Sequence, residues 1–268
     1  KALEPFQAIS IAAIFNLIGA LCGMAVAVTI AKGFADPVLG THSVIFSALT
    51  AAIIWNLITW YFGIPSSSSH ALIGGLVGAI MFSNSWHVVN FTTVAEKVIL
   101  PMIISPILGF FMAMLIVAII HKALKNNTQP RRTNNFIREI QVLSTAFLAF
   151  SHGTNDAQKT MGIITLALFS GGIITQCVVP GWVIIICAIC MALGTISGGA
   201  KIIKTLSTRV AQLKPASGFA AEISSATLLF VGSRFGIPLS TTHAVAGSIM
   251  GAGNRSEERR VGKECLRL

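Results

Sequence analysis

The chain has 268 residues, of which 54% are hydrophobic and only 10% charged, with a mean hydropathy of +0.78. A water-soluble domain carries about 25% charged residues, so the composition excludes a soluble globular protein and indicates an integral membrane protein. The net charge of +10 does not indicate nucleic acid, because nine of the 19 basic residues gather in two short stretches beside apolar segments, where they mark the cytoplasmic side of a membrane.

In chain order, residues 8–31 read as a first long helix, with Gly19 and Gly23 in a Gly-x-x-x-Gly pair suited to close helix contact. Residues 43–62 read as a second. "FGIPSSSSHA" (Phe62–Ala71) then breaks the chain at Gly63 and Pro65, and 66–83 reads as a short glycine-rich helix. A loop over 84–97 leads to a long helix over 98–120. Lys122, Lys125, Arg131, Arg132 and Arg138 make 121–138 a basic cytoplasmic loop. Residues 136–170 read as a helix interrupted by "SHGTNDAQKT" (Ser151–Thr160), with Gly153 as the break. A further helix is expected over 179–200. Its Cys187 and Cys190, with no His or acid beside them, read as packing rather than metal or redox chemistry. Lys201, Lys204, Arg209 and Lys214 form a second basic stretch. Residues 216–235 read as a helix, and "FGIPLSTTHA" (Phe235–Ala244) leads into a short one over 239–252. The last stretch, "NRSEERRVGKECLRL", holds eight charges in fifteen residues and resembles the in-frame translation of a sequencing adapter. Residues 254–268 are therefore expected to be a non-native tail. The chain opens "KALEPFQ" without a Met, so its natural start is expected upstream.

With both basic stretches inside, the element 43–83 starts and ends outside, as two crossings or a re-entrant hairpin, and 216–252 starts and ends inside. Aligned with a constant shift of 173, Phe62–Ala79 and Phe235–Ala252 share ten of eighteen residues, including Gly63/Gly236, Pro65/Pro238, Ser67/Ser240 and His70/His243. Opposed repeats with Gly/Pro-interrupted segments in matching places point to a transporter with its site near the midplane. The expected fold is all-α, a polytopic membrane protein with inverted-topology repeats and broken helices or re-entrant hairpins. Residues 1–120 form the first repeat and 139–253 the second.

The chemistry follows from the breaks. The first turn of a helix has free N–H groups and a partial positive charge, and binds phosphate- or sulfate-like anions. Ser66–Ser69 and Ser240–Thr242 add hydroxyl donors at two such starts. The bland reading makes those hydroxyls plain N-caps. His70 and His243 follow directly and could contact an anion or carry a proton. Asp156 lies at membrane depth, where an unpaired carboxylate costs about 2.5–3.5 kcal/mol. Lys159, three residues on, could pair with it; otherwise Asn155 and Asp156 hold a coupling cation, or Asp156 takes a proton. Thr154, Ser151 and His152 are candidates for the same site. A Ser/His/Asp hydrolase is a weaker reading, because the Ser–His neighbours occur twice with one Asp and no oxyanion element. A channel is the remaining alternative.

"GTNDAQKT" resembles the Asn–Asp signature of the PiT family of inorganic phosphate transporters, and "WYFGIPSSSSHALIGG" and "FGIPLSTTHAVAGS" resemble that family's paired hairpin motifs. The resemblance implies secondary active import of inorganic phosphate, alone or as a metal–phosphate complex, coupled to H+ or Na+ by alternating access, with no other cofactor. It implies phosphate contacts at Ser67, Ser68, Ser69, Ser240, Thr241 and Thr242, and a coupling-cation or proton site at Asn155 and Asp156. Gln158 and Lys159 are more like the bacterial low-affinity branch, described as proton-coupled. The family has two Asn–Asp signatures and this chain only the second, so the first motif helix and the last helices are expected outside it. The expected setting is a multi-pass protein of the plasma (inner) membrane. The expected partners are phosphate, with or without a divalent metal, and lipid, with a homodimer admissible and no nucleic acid. A sulfate or general oxyanion permease of the same fold is the alternative.

Overall fold

The computed structural model describes residues 5–123, 130–197 and 215–265, with side chains over 6–123, 136–197 and 215–254. All regular structure among the described residues is helical. The second basic stretch lies outside them, as does Lys125 of the first.

Helix α1 (Pro5–Ala20) and α2 (Ala25–Lys32) replace the single helix expected over 8–31. They meet at 64°. The cause is local: Gly23 takes φ +105, a conformation that side chains resist, and the new helix start is capped from outside. Gln158 Oε1 accepts the Val26 and Ala27 N–H groups at 2.8 and 3.4 Å. Helices α3 (His42–Phe62) and α4 (Ser68–Ser83) form the first hairpin. Helix α5 (Phe91–Ala123) includes a π-turn at Ala95–Ile99 and continues through Pro106.

Helix α6 (Pro130–Ser170) is the central departure from expectation. It runs unbroken through Ser151–Thr160 for 41 residues and starts inside the stretch expected as a basic loop. Gly153 does not break it. Instead it lets α1 cross against bare backbone: a methyl group there would come within 2.1 Å of the Asn16 carbonyl oxygen, and one on Gly19 within 2.0 Å of that of Phe150. The two glycines interlock the helices, and a hydroxyl-rich sequence stays helical because it is buried in protein, not lipid.

Helix α7 (Gly181–Ser197) packs on both α1 and α6, and α8 (Pro215–Arg234) with α9 (Thr241–Cys265) forms the second hairpin. The apolar part of α9 lies on α5, where methyl groups on Gly247 and Gly251 would strike the Pro106 and Phe110 carbonyl oxygens at 2.3 and 2.0 Å. Helices α3 and α5 are long and apolar enough to cross a membrane, and the bent pair α1–α2 makes a third candidate. The 16 residues of α4 span about 24 Å, short of a ~30 Å hydrocarbon core. The first hairpin therefore pairs a full span with a partial one.

Candidate anion site between two helix starts

The two hairpins are built alike, bond for bond. Gly63 and Gly236 take left-handed φ values of +67 and +65. Ile64 N–H then bonds back to Thr59 O, and Ile237 N–H to Gly232 O, at 2.8 and 2.9 Å. Each proline follows, and a serine caps the next helix: Ser67 Oγ accepts His70 N–H at 3.2 Å, and Ser240 Oγ accepts His243 N–H at 3.3 Å. The capping reading holds for these two hydroxyls.

The starts of α4 and α9 meet through an exchanged pair of contacts. Ser69 Oγ donates to Leu239 O at 3.3 Å, and Thr242 Oγ1 donates to Ser66 O at 3.0 Å. The shift that aligns the two motifs carries one bond onto the other, the mark of a self-complementary contact. His70 and His243, themselves counterparts, pack with ring centroids 5.2 Å apart and their planes tilted by 56°.

Between these starts lies a cavity of about 390 Å³ lined by Ser66–Ser69, Ser240–Thr242, Asn56, Thr59, Trp60, Val245, His152 and Asp156. A larger depression of about 510 Å³ between the surface loops holds Lys32, Asp36 and His87, and none of the expected site residues. Ser68 is exposed to the cavity, and the hydroxyl of Thr241 reaches Asp156 Oδ1 at 3.0 Å.

Asp156 is held by four side chains. Lys159 Nζ donates to Oδ1 at 2.5 Å, Asn155 Nδ2 to the same oxygen at 2.9 Å, and His152 Nε2 sits 2.9 Å from Oδ2; Thr241 is the fourth. The polar chain continues outward. His152 Nδ1 meets Asn16 Oδ1 at 3.0 Å, and Asn16 Nδ2 donates to Thr195 Oγ1 at 2.9 Å, linking α6, α1 and α7.

The structure thus brings Ser67, Ser68, Ser69, Ser240, Thr241, Thr242, His152 and Asp156 to one cavity. It does not bring the others. Thr154, expected among the cation or proton ligands, turns toward α1 and donates to Gly19 O and Phe150 O at 2.9 Å each. Its position on α6 faces the interlocked glycines, which spacing alone does not reveal. His70 and His243 pack on each other and do not line the cavity. Asn155 is buried; its amide binds Leu239 O at 2.8 Å and its Oδ1 has no partner. Ser151 is buried too, with its hydroxyl unpartnered.

One half-buried acid escaped the sequence reading. Glu222 of α8 accepts hydrogen bonds from Ser144 of α6 and from Thr145 Oγ1, the latter at 3.1 Å. A lone carboxylate within an apolar helix is itself a signal, and Glu222 carried it. Gln158, the cap of α2, carried none.

A profile of the phosphate transporter family matches residues 1–267, nearly the whole chain. The chain belongs to that family. Proteins named probable low-affinity inorganic phosphate transporter are 44% identical in Mycobacterium bovis over 254 residues and 41% identical in Bacillus subtilis over 256. Each alignment covers 94% of this chain, with 61% of the mycobacterial relative and 76% of the Bacillus one. The chain therefore spans about three fifths of the mycobacterial proteins' length. A solved structure titled "The sodium-dependent phosphate transporter" superposes with a TM-score of 0.83 over 100% of this chain and 85% of its own, at 24% identity, and shows the shared fold. The family model is described as one of phosphate transporters, and the hydrolase reading gains no support from it. In the hairpins, Ser67 and Ser240 accept a backbone N–H from their histidines, which is helix capping and not contact with an imidazole.

Proposed function

We propose that the full-length protein imports inorganic phosphate, alone or as a metal–phosphate complex, across the plasma membrane, driven by coupled H+ or Na+ through alternating access between the two hairpins. The observation that carries the reading is the pair of helix starts facing one cavity lined by a half-buried carboxylate. Two first turns offer N–H donors and positive dipole ends to one anion. Ser68 supplies a hydroxyl donor, Thr241 supplies its one proton by turning from Asp156 to the anion, Ser67 and Ser240 fix the turns, and Ser69 and Thr242 fix the distance between them.

Asp156 favours phosphate over sulfate. A carboxylate in the cavity only accepts hydrogen bonds, and hydrogen phosphate can donate one where sulfate cannot. Sites built around such a bond reject the analogue lacking the proton.

The test is labelled-phosphate uptake by the full-length protein in cells lacking their own phosphate carriers, with excess sulfate as competitor. Saturable uptake that survives sulfate is expected. Uptake erased by sulfate would make the protein a general oxyanion carrier, and non-saturable flux would make it a channel.

A further inference from the structure

The ammonium of Lys159 sits in a nest of oxygen atoms drawn from three elements. It donates to Asp156 Oδ1 on its own helix at 2.5 Å, to the Leu239 carbonyl just before α9 at 2.8 Å, and to the Ser69 hydroxyl at the start of α4. An ammonium has three protons, and each has an acceptor. The side chain is only 4% exposed. Carboxylate, carbonyl and hydroxyl oxygens are the ligands that hard metal cations take. One comes from each hairpin and one from α6, so the group at their centre joins both hairpins to the carboxylate.

The same oxygens leave little for a metal ion at the Asn155–Asp156 pair. Asp156 Oδ1 already serves Lys159, Asn155 and Thr241, and Oδ2 faces His152. The unpartnered buried oxygens nearby, Ser151 Oγ and Asn155 Oδ1, are neutral. A cation at membrane depth needs opposite charge or many oxygen ligands around it. The residues as they stand do not fit one there.

We propose that Lys159 is a tethered cation, standing where a free monovalent cation would otherwise bridge Asp156 to the two hairpins, so that the site is complete without sodium. Lys159 then decides which ion the carrier can use. Calling the site that of a carrier rests on the function proposed above; the occupancy of the nest by Lys159 does not, and is tested without phosphate.

The experiment compares thermal unfolding of the purified full-length protein in sodium chloride and in choline chloride at matched ionic strength. A ligand that binds only the folded state raises the melting temperature by mass action. The wild type is expected to melt at the same temperature in both salts. Lys159→Ala removes the charge and opens the nest, and is expected to gain a saturable rise of several degrees in sodium. Adding Asp156→Asn is expected to remove that gain. Lys159→Gln serves in the same comparison should Lys159→Ala fail to fold in either salt. A wild type already stabilised by sodium overturns the proposal and moves the cation to Ser151 and Asn155. A Lys159 variant that folds yet ignores sodium also overturns it, leaving Lys159 as a plain ion-pair partner. Absence of phosphate uptake by the wild type would sink the proposed function alone.

Discussion

The hydroxyls around the cavity divide into two groups with different expected phenotypes. Ser68 and Thr241 face the cavity without serving as caps or as cross-ties between the hairpins. Removing one donor to a charged ligand loses about 1.5–3 kcal/mol, so Ser68→Ala or Thr241→Ala should raise the KM for phosphate roughly tenfold or more. The measurement is concentration-dependent uptake, with thermal stability held as the control; an unchanged KM in both would reduce the hydroxyls to capping devices. Ser67→Ala and Ser240→Ala should do the reverse, lowering stability by about 1 kcal/mol through lost caps with a smaller effect on KM. Asp156→Asn should end coupled uptake and also destabilise the fold, because it leaves Lys159 buried beside neutral acceptors; removing one partner of a buried pair costs about 3–5 kcal/mol. The double variant Asp156→Asn/Lys159→Met should recover much of that stability without recovering uptake. Additive losses in this cycle would show that the two side chains are not coupled.

Much of this was legible in the sequence at the level of motifs. Glycine, proline, hydroxyls and histidine at one spacing, written twice, are enough to place two helix starts, because each residue type has a backbone reason to be there. The direction in which side chains point was less legible. Thr154 and Gln158 sit within the same motif as Asp156, yet they serve α1 and α2. Facing helices decide that, and no local pattern encodes them.

Among the elements, α6 shows why composition misleads near a site. Gly153 and the polar run looked like a break, since lipid would force one, but the protein itself covers this segment, with only Thr160 exposed. Gly153→Ala tests the packing account. With a methyl group driven to 2.1 Å from backbone that cannot rotate away, α1 and α6 must separate, at a cost of about 1–3 kcal/mol. Thermal unfolding should show the loss. A variant of unchanged or raised stability would mean that the glycine marks a hinge, not a contact. Separation of α1 would also disturb the Asn16–His152 bond, so uptake should fall with stability.

The whole molecule is held at its centre by bonds that cross between hairpins, and transport by alternating access requires those bonds to open. His70→Cys combined with His243→Cys places a thiol on each of the two side chains that now pack against each other across the hairpins, with ring centroids 5.2 Å apart. Oxidation should cross-link the hairpins and stop uptake, and a reductant should restore it. Uptake that continues in the fully cross-linked protein would show that the hairpins move as one body. The inverted arrangement expected of the repeats is tested at this scale. Thiol labelling from either side of the membrane, at the turns after α3 and after α8, should report opposite faces.

The exchanged contacts also decide which positions are free to drift. In each, a hydroxyl side chain donates and a main-chain carbonyl accepts. Every residue type supplies a carbonyl, so the accepting position carries no demand on its side chain, and the two counterparts there are as unlike as Ser66 and Leu239. The donating positions must both carry a hydroxyl, and they do, as Ser69 and Thr242. The mismatch within the repeated motif is thus a record of where the contact is blind to chemistry.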